Sequence, residues 1–126
     1  MRIHFLLTVA LVLCLSSLCI SAPFEIANSG IPLCTIVVSS QASETEQLAA
    51  KELSYFLKES TKAEISIATD SSNISGPKII LGNTSYLNMK DIPAKLQPLK
   101  QEGYVVYQKD NSIYISGGIL CGTYYC

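Results

Sequence analysis

The stretch Leu33 to Thr69, LCTIVVSSQASETEQLAAKELSYFLKESTKAEISIAT, decides the fold. Its first part, Leu33–Ser39, is rich in β-branched residues and lies between Pro32 and a serine cluster. That composition predicts a short strand buried on both faces. Ser43 then opens a helix, because Glu46 stands three residues later and the pair can cap each other's backbone N–H. Ala49, Leu53, Phe56 and Leu57 recur at helical spacing and predict one apolar stripe, with Lys51, Lys58 and Glu59 on the other faces. The helix is expected to stop near Ser60 or Thr61. Glu64–Thr69 (EISIAT) alternates, placing Ile65 and Ile67 on one face of a half-buried strand.

Toward the C-terminus, Asp70–Pro77 (DSSNISGP) reads as a polar loop and Lys78–Gly82 (KIILG) as a short apolar strand. Thr84–Gln101 is interrupted by Pro93 and Pro98 and predicts irregular structure with one helical turn at most. Gly103–Lys109 and Ser112–Ser116 flank Asp110-Asn111, two residues that tolerate positive φ, so this region predicts a β-hairpin. Ile113 and Ile115 point one way, and Ser112, Tyr114 and Ser116 the other. Gly117-Gly118 ends the strand. Thr123 then reads as an N-cap, with Tyr124 and Tyr125 starting an apolar helix face. The expected class is α+β: a small mixed sheet with one packed helix. The C-terminal helix is read as truncated, so the domain is expected to be incomplete at its C-terminus.

Toward the N-terminus, Arg2 and His4 precede Phe5–Ile20 (FLLTVALVLCLSSLCI), a run of 16 residues without charge. The run falls short of the roughly 20 residues of a membrane-spanning helix. Cys19 and Ser21 are small residues three and one before a cut after Ser21, and a cut after Ala22 would meet Pro23. Residues 1–21 are therefore expected to be a secretory signal and 22–126 one small domain, secreted to an extracellular or periplasmic space, with no membrane attachment after processing.

The only arginine is Arg2 and the only histidine is His4, so a chain cut after Ser21 has neither guanidinium nor imidazole. That excludes Ser-His-Asp and Cys-His nucleophile systems, histidine-containing zinc sites and bidentate arginine clamps. The formal net charge of −1 provides no general field for nucleic acid. No catalytic, cofactor-binding or metal-binding residue is nominated, and no cofactor is expected.

Each chemistry-bearing group has a structural explanation beside the functional one. Glu44 and Glu46 suit the first turn of a helix. Glu52 and Glu59 suit a solvated helix face, and Asp70, Asp91, Glu102 and Asp110 suit turns or strand edges. No pair of acids stands out for glycoside hydrolysis. Gly117–Gly122 (GGILCG) runs from a strand into a helix start, but its spacing matches no phosphate loop and a tight turn accounts for its glycines. Tyr104, Tyr107, Tyr114, Tyr124 and Tyr125 offer a sugar-stacking platform, or ordinary strand packing. Cys34, Cys121 and Cys126 are an odd set, leaving at most one bridge and its pairing open. Asn73-Ile74-Ser75 and Asn83-Thr84-Ser85 are acceptor sequons for N-glycosylation.

Four segments in order carry a resemblance. AAKELSYFLKESTKAEISI resembles the pattern ELxxYLxKxTGaxLPI, and KIILGNTS resembles xIxLGxT. EGYVVYQKDNSIYISGG followed by GTYY resembles EGFxIxxxxxxIxIxGxxxRGTLYG. These are similar to the N-terminal domain of α-glucuronidases and the related N-terminal domain of β-N-acetylhexosaminidases, over about Ile36 to the end. The resemblance implies a zincin-like fold without metal. It also implies a non-catalytic module preceding a (β/α)₈ barrel that holds the catalytic carboxylates, in a secreted hydrolase of xylan-type polysaccharide. That barrel is then the expected partner, and carbohydrate the second. A free-standing secreted glycan- or protein-binding domain is the alternative. The chain departs from the patterns at Lys62 (Gly), Cys121 (Arg) and Cys126 (Gly).

If residues 1–21 are a signal, N-terminal sequencing of the exported product starts at Ala22. A product that retains Phe5–Ile20 rules that out.

Overall fold

The computed structural model describes residues 22–87 and 103–117. The expected signal at residues 1–21, most of the expected irregular segment Thr84–Gln101, and the expected helix start at Thr123 lie outside the described residues. Two short strands, β1 (Ala27–Asn28) and β2 (Ile31–Pro32), form a small antiparallel pair. They are followed by β3 (Thr35–Val38), α1 (Glu44–Thr61), β4 (Ile67–Thr69), β5 (Lys78–Leu81), β6 (Tyr104–Lys109) and β7 (Ser112–Gly117). The last five strands make one sheet in the order β4-β3-β5-β7-β6. β3 runs parallel to β4 and β5, β5 runs parallel to β7, and β6 closes the sheet antiparallel to β7. The class is α+β: among the described residues one helix packs against a mixed sheet, as the segment order predicts, and the small β1–β2 sheet is an addition that it does not predict.

The interior strands are the apolar ones. Ile36, Val37 and Val38 of β3 and Ile79, Ile80 and Leu81 of β5 are all buried. Period-two alternation sends Ile36, Val38, Ile79, Leu81 and Ile115 to the α1 side, where Cys34, Ala50 and Ile65 complete the core. Val37, Ile80 and Val105 are buried on the opposite side. The β6–β7 turn forms as its residues dictate: Asp110 and Asn111 take φ of 49° and 58°, the pair of left-handed residues a two-residue turn requires.

Helix α1 starts as predicted. Ser43 Oγ accepts from the Glu46 N–H, and the Glu46 carboxylate accepts from the Ser43 N–H at 2.9 Å. It ends at Thr61, where Lys62 turns left-handed (φ 60°) and donates its N–H to Lys58 O.

Its buried face differs from the expected one. Ala50 is fully buried, whereas Phe56 is 61% exposed. At 3.6 residues per turn the two positions lie about 120° apart. The stripe is centred on Ala50, Ser54, Leu57 and Thr61, and two of these are polar. Ser54 Oγ donates to Ile65 O at 2.8 Å, and Thr61 Oγ1 donates to Leu57 O at 2.7 Å. Both hydroxyls satisfy themselves on backbone carbonyls, so an inward-facing position need not be apolar. A second difference concerns β4. Ile65 is buried just before the strand, but Ile67, which pairs in register with Ile36, is 41% exposed. β4 is one of the two outer strands of the sheet, with a neighbouring strand on one side alone.

Core and periphery should therefore separate cleanly in a urea titration. Ile36→Ala is expected to cost about 2–5 kcal/mol, and Phe56→Ala to stay within about 0.5 kcal/mol of wild type. Equal losses at both positions would mean that the stripe runs through Phe56 after all.

Candidate functional site

The parallel strands β3, β4 and β5 end on one edge of the sheet, the edge at which open parallel sheets ordinarily hold ligands. In this chain its turns are tied to one another by a carboxylate. Asp70, the residue after β4, accepts from the Ser40 N–H through Oδ1 at 2.7 Å and from the Ser85 N–H through Oδ2 at 2.7 Å. Its own N–H donates to Val38 O at 2.9 Å. One side chain therefore joins the turns that follow β3, β4 and β5. The tie is extended by Ser85 Oγ toward Asp70 O at 3.5 Å and by Tyr86 Oη to Ser72 O at 3.2 Å.

The α1 N-terminus faces the same edge, where exposed helix N–H groups would attract an anion. Glu46 fills that role from within the chain. Its carboxylate lies against Gly82, where an added Cβ would stand 2.9 Å from Glu46 Cδ, and Gly82 has φ of 71°. Gly82 thus meets two demands: a left-handed backbone and room for the capping carboxylate. Thr84 follows, 4% exposed, with no hydrogen-bond partner for its Oγ1 among the described residues.

The acids fall where their elements put them. Glu44 and Glu46 lie in the first turn of α1, Glu64 pairs with Lys58 at 3.3 Å on the surface, and Asp110 forms the hairpin turn. Glu52 and Glu59 lie on the exposed side of α1. Asp91 and Glu102 lie outside the described residues, as do Gly118–Gly122 of the glycine-rich segment, Cys121 and Cys126. Cys34 is buried, with Sγ 3.6 Å from Ile26 O, and burial pushes its thiol above the ordinary value. That disfavours the reactive thiolate. Among the described residues no group of three His, Cys, Asp or Glu could hold a metal ion. No helix among them is long and apolar enough to cross a membrane.

The described tyrosines of the hairpin do not share a face. Tyr107 and Tyr114 are cross-strand partners, stacked with centroids 4.9 Å apart, on the side away from α1. Tyr104 alternates to the other side and is exposed. Tyr124 and Tyr125 lie outside the described residues.

Asp70 is the residue whose role the sequence conceals. It reads as one more turn acid, because its partners stand 30 and 15 residues away. The bonds from the Ser85 and Ser40 N–H groups hold its carboxyl below the usual carboxylate range. A depressed pKa contributes stability that is present above the unfolded value, near 3.9, and is lost as pH falls through the folded one. Asp70→Asn should therefore lower the urea midpoint at pH 7, and the gap to wild type should close progressively below about pH 4. A gap that does not change with pH would mean that the carboxylate charge plays no part.

A scan of protein-family models finds no match to this chain, and a search of curated proteins finds none either.

Proposed function

We propose that this chain is the accessory, non-catalytic N-terminal domain of a secreted glycoside hydrolase of the α-glucuronidase type, working beside a catalytic (β/α)₈ barrel. The resemblance to that family rests on sequence patterns, and the observation that carries the reading is where the pattern positions fall. In the first pattern the glycine corresponds to Lys62, which is the left-handed residue that ends α1. That is the conformation for which helix ends most often use glycine. In the second, the marked residues are Ile79 and Leu81, which face the core, then Gly82, which clears Glu46, and buried Thr84. In the third, Tyr104, Val106, Ile113 and Ile115 fall on one face of the β6–β7 hairpin, since Val106 pairs with Ile115. The pattern positions at Lys62, Ile79, Leu81, Gly82 and Thr84 fall where backbone or packing restricts the choice, while those at Phe56, Ile67, Tyr104 and Val106 are exposed.

A scaffold role is supported by the same positions. Ile79, Leu81, Gly82 and Thr84 among them are packing positions, and the matched acid Glu52 lies on the exposed side of α1. The domain also leaves Leu48, Tyr55, Phe56, Tyr104 and Val106 exposed, apolar surface that a larger partner can cover. The reading as a free-standing glycan binder leaned on a tyrosine platform, and Tyr104 stands on the opposite side of the sheet from Tyr107 and Tyr114.

The full chain is expected to hydrolyse neither aryl glycosides nor uronosyl-xylooligosaccharides above background. The parent reading frame should continue past Cys126 into a barrel of about 250 residues. Turnover by this chain that disappears on Asp70→Ala, or a stop codon directly after Cys126 in the transcript, would overturn the assignment.

A further inference from the structure

One sequon lies on the edge that Asp70 ties together and the other in the loop that leaves that edge, and they are held very differently. Asn73-Ile74-Ser75 is in the β4–β5 loop, where both Asn73 and Ser75 are exposed. No hydrogen bond among the described residues holds positions 73–75; the neighbouring bonds end at Ser72 and resume at Gly76. Asn83-Thr84-Ser85 follows β5, and Asn83 is exposed too. Its flanks, however, are fixed on both sides. The Gly82 N–H donates to Ile115 O at 2.8 Å, Thr84 is buried, the Ser85 N–H is on Asp70, and Thr84 O accepts from Leu87 N–H at 3.0 Å. A transferase must draw the asparagine and the hydroxyl two residues later into its own groove. The first loop can yield without breaking a described bond. The second cannot move without breaking the Asp70 tie and lifting Thr84 out of the interior.

We propose that Asn73 and Asn83 are both N-glycan attachment sites, with Asn73 open to modification in the folded protein and Asn83 open only before its turn closes on Asp70. This rests on the secretory reading of residues 1–21, since the transferase works on exported chains. The donor is an oligosaccharide on a polyprenyl diphosphate. The asparagine side-chain nitrogen attacks the anomeric carbon and the N–C bond forms. The bond from that carbon to the diphosphate oxygen breaks, the nitrogen gives up one proton, and polyprenyl diphosphate leaves.

Two experiments test this. First, the full chain and its Asn73→Gln and Asn83→Gln variants are expressed in cultured eukaryotic cells, and the medium is analysed by mass before and after peptide N-glycosidase, which leaves aspartate where a glycan stood. Glycan at both sites of the exported chain is expected. Export with either site bare overturns the proposal for that site. A chain that stays in the cytosol refutes the secretory reading instead, and the second experiment then decides the acceptor question alone.

In the second, unglycosylated full chain is given to a purified single-subunit oligosaccharyltransferase with its lipid-linked donor, beside short peptides spanning each sequon. In the folded chain Asn83 should react at least about tenfold more slowly than in its peptide, because local opening must come first, while Asn73 stays within about threefold of its own peptide. Asp70→Asn should speed Asn83 toward the peptide rate, whether it loosens the turn or unfolds the chain. Equal rates at Asn83 in folded chain and peptide, or no response to Asp70→Asn, would overturn the role given to the turn.

Discussion

Room at Gly82 is the constraint on which the rest of the fold depends. Helix α1 must begin where β3 ends, and its first-turn N–H groups need an acceptor. Ser43 Oγ provides that acceptor for the Glu46 N–H, and the Glu46 carboxylate, which accepts the Ser43 N–H in return, stands against the backbone of the residue after β5. A side chain at position 82 would displace the carboxylate and cost the helix that half of its capping box. The same closeness recurs one turn further on, where Ala50 is fully buried over β3. Small residues at these two positions let an 18-residue helix lie low enough for Leu53 and Leu57 to reach the core. The sheet gains its cover only because two positions are nearly empty.

Much of this was legible because local rules and tertiary demands agree. The β3 run is apolar on both faces, and it became an interior strand. Ser43 and Glu46 announce the helix start, and Asp110-Asn111 announces the hairpin turn. The misses at α1 and Asp70 come from polar side chains satisfied by backbone groups, near in sequence for Thr61 and distant for Ser54 and Asp70. Ser54 and Thr61 face inward because carbonyls of Ile65 and Leu57 accept their hydroxyls, and this turned the buried stripe away from Phe56. Asp70 binds Ser40 and Ser85, and no spacing rule connects those three. The β1–β2 pair, with its Ser29-Gly30 turn at φ of 50° and 79°, carries too few residues for any periodicity to show.

The strand-end edge shows how a fold can withdraw a place that topology offers to ligands. Three parallel strands deliver their ends together, and a helix N-terminus arrives beside them. In a nucleotide-binding sheet those N–H groups remain for a phosphate. Here Glu46 takes the helix end, and Asp70 takes two of the loop N–H groups. Both carboxylates are on the chain itself, so the positive end of the helix and the turn amides are neutralised internally. An edge closed in this way is a joint between turns.

Lys62 shows how a helix can end left-handed on a residue other than glycine. A left-handed residue other than glycine costs roughly 1–2 kcal/mol, because Cβ crowds the following carbonyl. Lys62 recovers part of this locally. Its N–H closes on Lys58 O, and its ammonium donates to Glu59 O at 2.8 Å, near the negative end of α1. The next residue, Ala63, donates its N–H to Thr61 Oγ1 and is fully buried. The stop is therefore held from both sides by bonds that do not depend on which side chain occupies position 62. Glycine is the easiest residue there, but the path of the chain from α1 into β4 is set by Thr61, Ala63 and the Ser54–Ile65 bond. That is why the turn forms although the residue at its left-handed position is a lysine.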